Sequence, residues 1–253
     1  MKKSTKFLAA ALAALGFVGG ANAALVHDYQ LNGTLADALG GPSLATINAG
    51  GPNGTIDPTG FSFPFNSGLQ LTGGLSSAGN YSIEMSFSFD ATSGYRRIID
   101  FKDRATDNGL YNLSGAINFF PHVTGAGIFA PGDMVNIIVT RDGGTNAFNV
   151  YAGGVNILSL ADAASDGVFS ASGNVINFFR DDIVVLDEAS AGFVDMIRIY
   201  DAPITENDAR CLQTGSPTAC GIPDVGNNVP EPGSLALIGF GLAALGAARR
   251  RKS

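Results

Sequence analysis

The chain has 253 residues, 45% of them hydrophobic and 15% charged, with 34 Gly, two Cys, no Trp and a formal net charge of −7. That apolar content supports a packed core and excludes disorder throughout, and the length suits one large β domain. The acidic balance excludes nucleic acid as a partner, and two cysteines exclude a disulfide-dense scaffold.

Residues 1–23 begin with Lys2, Lys3 and Lys6, run apolar from Phe7 to Val18 and end in Ala21-Asn22-Ala23. A basic start, a short apolar stretch and a small-residue cleavage site make a secretory signal peptide, cut so that the mature chain begins at Ala24.

From 24 to 203 no helical periodicity of useful length occurs. Short β-branched and aromatic runs alternate with Gly, Asn and Asp turns, which predicts many antiparallel strands. The clearest is 81–89: Tyr81, Ile83, Met85, Phe87 and Phe89 face one way, and Ser82, Glu84, Ser86 and Ser88 the other, as in a half-buried strand. Further strands are expected at 25–31, 96–102, 110–113, 116–120, 134–140, 147–151, 155–160, 174–179, 182–186 and 193–200. Arg141-Asp-Gly-Gly-Thr145 and Ala152-Gly153-Gly154 supply the positive φ of two hairpin turns. The spacing predicts a sandwich or jelly roll rather than βαβ units.

Val26-His-Asp-Tyr-Gln-Leu31 followed by Asn32-Gly33-Thr34 and Asp37 resembles the opening strand of a laminin-G-like, concanavalin A-like domain. Residues 81–89 resemble that family's central strand and 134–155 its long hairpin. Gly192–Tyr200, with Ala202-Pro203-Ile-Thr205 after it, resembles its closing strand. The resemblance covers about 24–212, within a domain taken as 24–214. It implies an all-β, two-sheet antiparallel jelly roll that binds glycans or proteins, often with calcium.

Thr205-Glu-Asn-Asp208 offers a helix N-cap, so 206–212 is expected to be one short helix. Cys211 and Cys220, close together in an exported chain, are expected to form a disulfide. Residues 215–228 are rich in Pro, Gly, Ser and Asn and read as a flexible linker.

The C-terminal segment 229–253 carries Pro230-Glu231-Pro232, an apolar run over 235–248 and then Arg249, Arg250, Arg251 and Lys252. As a helix the apolar run spans about 21 Å, short of the ~30 Å hydrocarbon core, and the basic cluster stops transfer. These three features in this order resemble the PEP-CTERM sorting signal. That resemblance implies transient partners in the inner membrane, cleavage by an exosortase, and export to the cell surface or extracellular matrix of a Gram-negative bacterium, in the setting of exopolysaccharide and biofilm production. Both basic termini mask the body: 24–248 holds eight basic against 22 acidic residues, a net of −14.

Chemistry-bearing patterns are sparse. Asp100, Asp103 and Asp107 with Asn108, and Asp181 and Asp182 with Asp187 and Glu188, are either calcium ligands or solvated acidic turns. Tyr95, Arg96 and Arg97 are candidate ligand-binding residues, an aromatic face beside two guanidiniums that suit an acidic sugar or pair with nearby Asp. His27 and His122 lie in no motif. None of the four glutamates, Glu84, Glu188, Glu206 and Glu231, has an acidic neighbour at the spacing that a glycosidase carboxyl pair needs on one strand. No catalytic residue is therefore expected, and the chain is read as no enzyme. It is read as a non-catalytic module for extracellular polysaccharide or a surface protein. A matrix component without a discrete ligand is the alternative, and a glycan hydrolase the third reading.

Overall fold

The computed structural model describes residues 23–170, 172–183 and 186–224. Residues 1–22, expected to belong to a signal peptide, and 229–253, read as the sorting segment, lie outside them. Among the described residues no helix is long and apolar enough to cross a membrane.

The alternating Tyr81–Phe89 strand is β6, and it lies near the middle of the first sheet. Its neighbours are β11 (Val135–Arg141) and β15 (Gly192–Tyr200). The full order is β13-β12-β11-β6-β15-β4-β3, with β1 (Leu25–Tyr29) paired to the later half of β15. Here β3 is Thr55–Asp57, β4 Gly60–Phe63, β12 Ala147–Ala152 and β13 Val155–Ala161. A bulge between Val194 and Met196 lets β15 serve β4 with one half and β1 with the other.

The second sheet runs β10-β9-β8-β7-β14-β5-β2. Its strands are β2 (Ala45–Asn48), β5 (Ser67–Leu71), β7 (Tyr95–Asp100), β8 (Gly109–Leu113), β9 (Ala116–Phe120), β10 (Val123–Gly127) and β14 (Ile176–Phe178). All pairings are antiparallel except one isolated bridge, so the architecture is the expected all-β sandwich.

The core joins the two sheets through aromatic rings. Phe119 of β9 stacks on Phe148 of β12, and Phe63 of β4 on Phe179 just after β14, both with centroids 4.4 Å apart. Such pairs add about 0.5–1.5 kcal/mol beyond their burial.

Three expectations need correction. Strand β6 is covered on both faces: Ser82 and Glu84 are buried beside its apolar residues. The cover over the outer face is the chain after β15. Helix α1 (Glu206–Leu212), capped by Thr205 and Asp208, packs Ala209 and Leu212 against Ile138, Tyr151 and Tyr200. Glu84 accepts hydrogen bonds from Tyr200 Oη at 2.7 Å and Asn136 Nδ2 at 3.2 Å, which makes its burial tolerable. Second, the described residues of 182–186 are loop rather than strand, with Ile183 exposed. Third, β2 to β5 and β10 form where no strand was expected.

Cys211 and Cys220 form a disulfide with Cα atoms 5.8 Å apart. Residues 215–224, placed in the linker by composition, are held to the domain. Ile222 is buried, Leu25 N donates to Pro223 O at 2.8 Å, and Leu25 bridges Asp224. Ala24 N donates to Asp201 Oδ1 at 2.7 Å, so both ends of the described chain meet at one corner.

Candidate functional site

Strand β7 carries Tyr95, Arg96 and Arg97 side by side, and alternation sends them to different surroundings. Arg97 lies on the face of β7 turned away from the inter-sheet core and is fully buried there beneath the loops that carry its acidic partners. Its Nη1 donates to the carbonyls of Asp107 and Asn108, and its guanidinium lies 4.2 Å from the Tyr111 ring centroid. Four of the acidic residues singled out by sequence gather round it. Asp182 pairs with Nη2 in the shortest contact, Asp181 lies 3.4 Å away, and Asp100 and Asp107 each 3.6 Å. The two acidic groups of the sequence are thus one cluster. Asp103 stands apart: it is more exposed, and Asn177 Nδ2 donates to it at 3.2 Å.

This donor set does not fit calcium as arranged. The cation among the carboxylates is the Arg97 guanidinium. Asp100 Oδ1 is further committed to the N–H groups of Lys102 and Arg104, and Asp181 to those of Asp182 and Glu188. Burial raises the carboxyls of Asp100 and Asp181 above the ordinary range even with Arg97 opposing. Glu188, whose side chain hydrogen-bonds Asp107, is pushed up to about 7, first by burial and then by the Asp107 charge.

Tyr95 shares the face of Arg97, two residues on, and both meet the Tyr111 ring; with Arg96 it lines a cleft of about 400 Å³ together with Ser93, Gly94, Asp187 and Glu188. Tyr95 is held edge-on by Tyr111 and Phe120, with centroids 5.4 and 5.8 Å away. Arg96 Nη1 donates to the carbonyls of Tyr95 at 2.8 Å and Asp187 at 3.1 Å. Its Nε is buried without a hydrogen-bond partner. The cleft therefore offers an aromatic ring, a guanidinium edge and two carboxyl groups, the kind of polar and aromatic mix that orients a sugar.

Sequence reasoning missed a second polar group. His122 Nε2 lies 2.6 Å from Asp166 Oδ2, and Asn108 Nδ2 donates to Asp166 Oδ1 at 2.7 Å. Asp162 is close by, but its carboxylate accepts from Arg141 Nε and the N–H groups of Asp166 and Gly167. These residues come from three separate loops, so no spacing in the sequence signals them. His27 is structural, held between Asp37 and the Gly74 carbonyl.

The fold and its tail define the class: an antiparallel β-sandwich with a PEP-CTERM protein-sorting motif, which matches residues 228–252. That motif marks the chain for exosortase handling, export and a surface or extracellular place in bacteria. No curated protein matches the sequence. Among solved structures, the chain is similar to domain 4 of AbnA, a GH43 extracellular arabinanase from Geobacillus stearothermophilus, in complex with arabinotriose. The identity is 19% and the TM-score 0.58, over 76% of this chain and all of that one. It is similar to Trypanosoma rangeli sialidase at 13% identity and TM-score 0.55, over 75% of this chain but only 32% of that one. It is also similar to the botulinum neurotoxin serotype C1 binding domain at 13% identity and TM-score 0.55, over 76% of this chain and 52% of that one.

These likenesses show the fold. They also correct the reading of the chain as no enzyme. This sandwich occurs in chains of an arabinanase and a sialidase, so neither the fold nor a missing carboxyl pair on one strand supports reading the chain as no enzyme. Acidic groups also meet without sharing a strand: Asp107, Asp182 and Glu188 come together from two loops, one carboxylate oxygen of each within 4.8 Å of the others.

Proposed function

We propose that this is an exported, exosortase-processed surface or matrix protein of a Gram-negative bacterium whose β-sandwich binds extracellular glycan in the Tyr95–Arg96–Asp187–Glu188 cleft. The observation that carries the reading is that cleft, with its ring, guanidinium edge and two carboxyls, on a domain whose tail carries an export-sorting motif. The similar domain 4 of AbnA, caught with arabinotriose, supports a neutral oligosaccharide as ligand. Processing removes the signal peptide after Ala23 and the sorting helix near Pro230-Glu231-Pro232.

The test is calorimetric titration of the exported protein with arabino-oligosaccharides and other neutral oligosaccharides, with product analysis of the same mixtures. Binding should be lost at least tenfold in Tyr95→Ala. Absence of binding to every oligosaccharide, or binding that Tyr95→Ala leaves intact, overturns the assignment. A glycan-free matrix role would then be the better account. Released sugar would add hydrolysis to the function.

A further inference from the structure

Five large apolar side chains are exposed among the described residues: Phe65, Met134, Val155, Ile183 and Leu186. Three of them belong to two neighbouring loops. Phe65 follows β4, and Ile183 and Leu186 lie between β14 and β15. Asn66, at positive φ, joins the two segments. Its Oδ1 accepts from Asp181 N at 3.3 Å, and its Nδ2 donates to Leu186 O at 3.4 Å. Phe65, Ile183 and Leu186 are 55%, 65% and 55% exposed.

The backbone imposes this exposure. Ile183 N donates to Arg104 O at 3.1 Å, and Arg97 N to Glu188 O at 2.8 Å. Arg96 Nη1 donates to Asp187 O at 3.1 Å, and Glu188 N to Asp181 Oδ2 at 2.8 Å. Both ends of the loop are thus laced to β7 and to the turn that follows it, which holds the apolar side chains out in water. An apolar patch kept outward in this way marks a contact surface.

Its position says what covers it. Leu186 adjoins Asp187, which with Glu188 and Arg96 walls the cleft. A sugar seated there brings its substituents within reach of the 183–186 loop. The patch is too small for a protein partner: three side chains are a minor part of the roughly 800 Å² that each side of a stable interface buries. A body of net charge −14, with Asp187 exposed beside the patch, is repelled by an anionic membrane surface. An apolar chain of a few carbons matches the patch in size and polarity. We propose that Phe65, Ile183 and Leu186 hold the acyl group of an O-acylated extracellular glycan whose sugar occupies the neighbouring cleft. This rests on the functional reading of the cleft and narrows its ligand from a neutral oligosaccharide to an acylated one.

The experiment titrates the exported protein with arabinotriose, with arabinotriose carrying one butanoyl ester at either end, and with methyl butanoate as the free acyl group. Each methylene-sized group covered is worth about fourfold in affinity, so one of the two esters should bind at least tenfold more tightly than arabinotriose. Phe65→Ser and Leu186→Ser should each remove most of that gain and leave arabinotriose binding unchanged. Tyr95→Ala should weaken ester and parent sugar alike. Both serine variants should keep the Tm within about 1 °C, since side chains this exposed pack little. Arabinotriose binding without a gain for either ester, or a gain that both serine variants retain, overturns the acyl site and leaves the cleft standing. Failure of arabinotriose and both esters to bind overturns the cleft and the acyl site with it. Methyl butanoate binding as tightly as the esters, or capture by phosphatidylcholine vesicles that Leu186→Ser abolishes while the esters show no gain, overturns the glycan as occupant of the patch.

Discussion

Arg97 is the residue on which the second sheet's loops depend, and Arg97→Leu measures that dependence. The guanidinium and the side chains of Asp100, Asp181 and Asp182 are all fully buried. Removing one partner from such a network costs about 3–5 kcal/mol, because the remaining charges stay in the interior unpaired. With three carboxylates left behind, the upper half of that range applies at pH 7.5, about 4 kcal/mol. A domain this size has only about 5–15 kcal/mol in total.

The loss should depend on pH in one direction. Asp100 and Asp181 already sit above the ordinary carboxyl range through burial, and without Arg97 they rise further. A carboxyl raised in the folded state opposes folding above its folded pKa, and the penalty vanishes below the unfolded value near ~3.9. The cost of Arg97→Leu should therefore shrink between pH 7.5 and pH 5, by about 1.4 kcal/mol for each unit over which one carboxyl takes up its proton. Urea unfolding followed by far-UV circular dichroism at the two pH values reads this directly. A loss below about 1 kcal/mol, or the same loss at both, would refute the view that Arg97 neutralises buried carboxylates.

Two other outcomes follow from the same reasoning. Replacing both Cys211 and Cys220 by Ala opens a loop of sequence separation 9 and should cost about 2–3 kcal/mol, with amide exchange rising first over 204–224 and at Leu25; unchanged protection there would show that the disulfide does not hold that corner. For Glu188, pushed up to about 7 by burial and by Asp107, the ionised form opposes folding above that pH and is silent below about 4.3. Glu188→Gln should thus be more stable than the parent above pH 7, by about 1–2 kcal/mol once partial solvent screening is allowed for, and equal to it at pH 4. Parallel unfolding curves at both pH values would contradict the assignment.

The parts of the fold legible in the sequence are those where chemistry repeats at short range. Strand β6 announces itself by strict alternation, and the β12–β13 hairpin by Gly153-Gly154, both at positive φ; the β11–β12 hairpin forms where Asp-Gly-Gly placed a turn, but its positive φ falls on Asn146 and not on Gly143 or Gly144. Strands β2 to β5 lie in a stretch crowded with Gly, Pro and Ser, where turn residues mask ladders of three to five residues. Residues 182–186 have strand-like composition, yet Asp181 and Asp182 are drawn to Arg97, which takes the chain out of the sheet. The outward face of β6 looked solvated because alternation cannot reveal that α1 returns to cover it. The site suffered in the same way. The acidic residues were visible as two groups, but burial of Arg97 between them depends on loops distant in sequence closing over the outer face of β7.

The meeting of Leu25 with Pro223 and Asp224 has a mechanical consequence. A pull between the segments before residue 23 and after residue 224 does not run through the sandwich. It falls on the Leu25–Pro223 and Ala24–Asp201 hydrogen bonds at one corner, which open one after another like a peeled seam. While the chain is held at both ends, tension would fray that corner and leave the stacked rings of the core unloaded. Once either end is cut, no force path crosses the domain, and it trails from a single point as an unstressed bead.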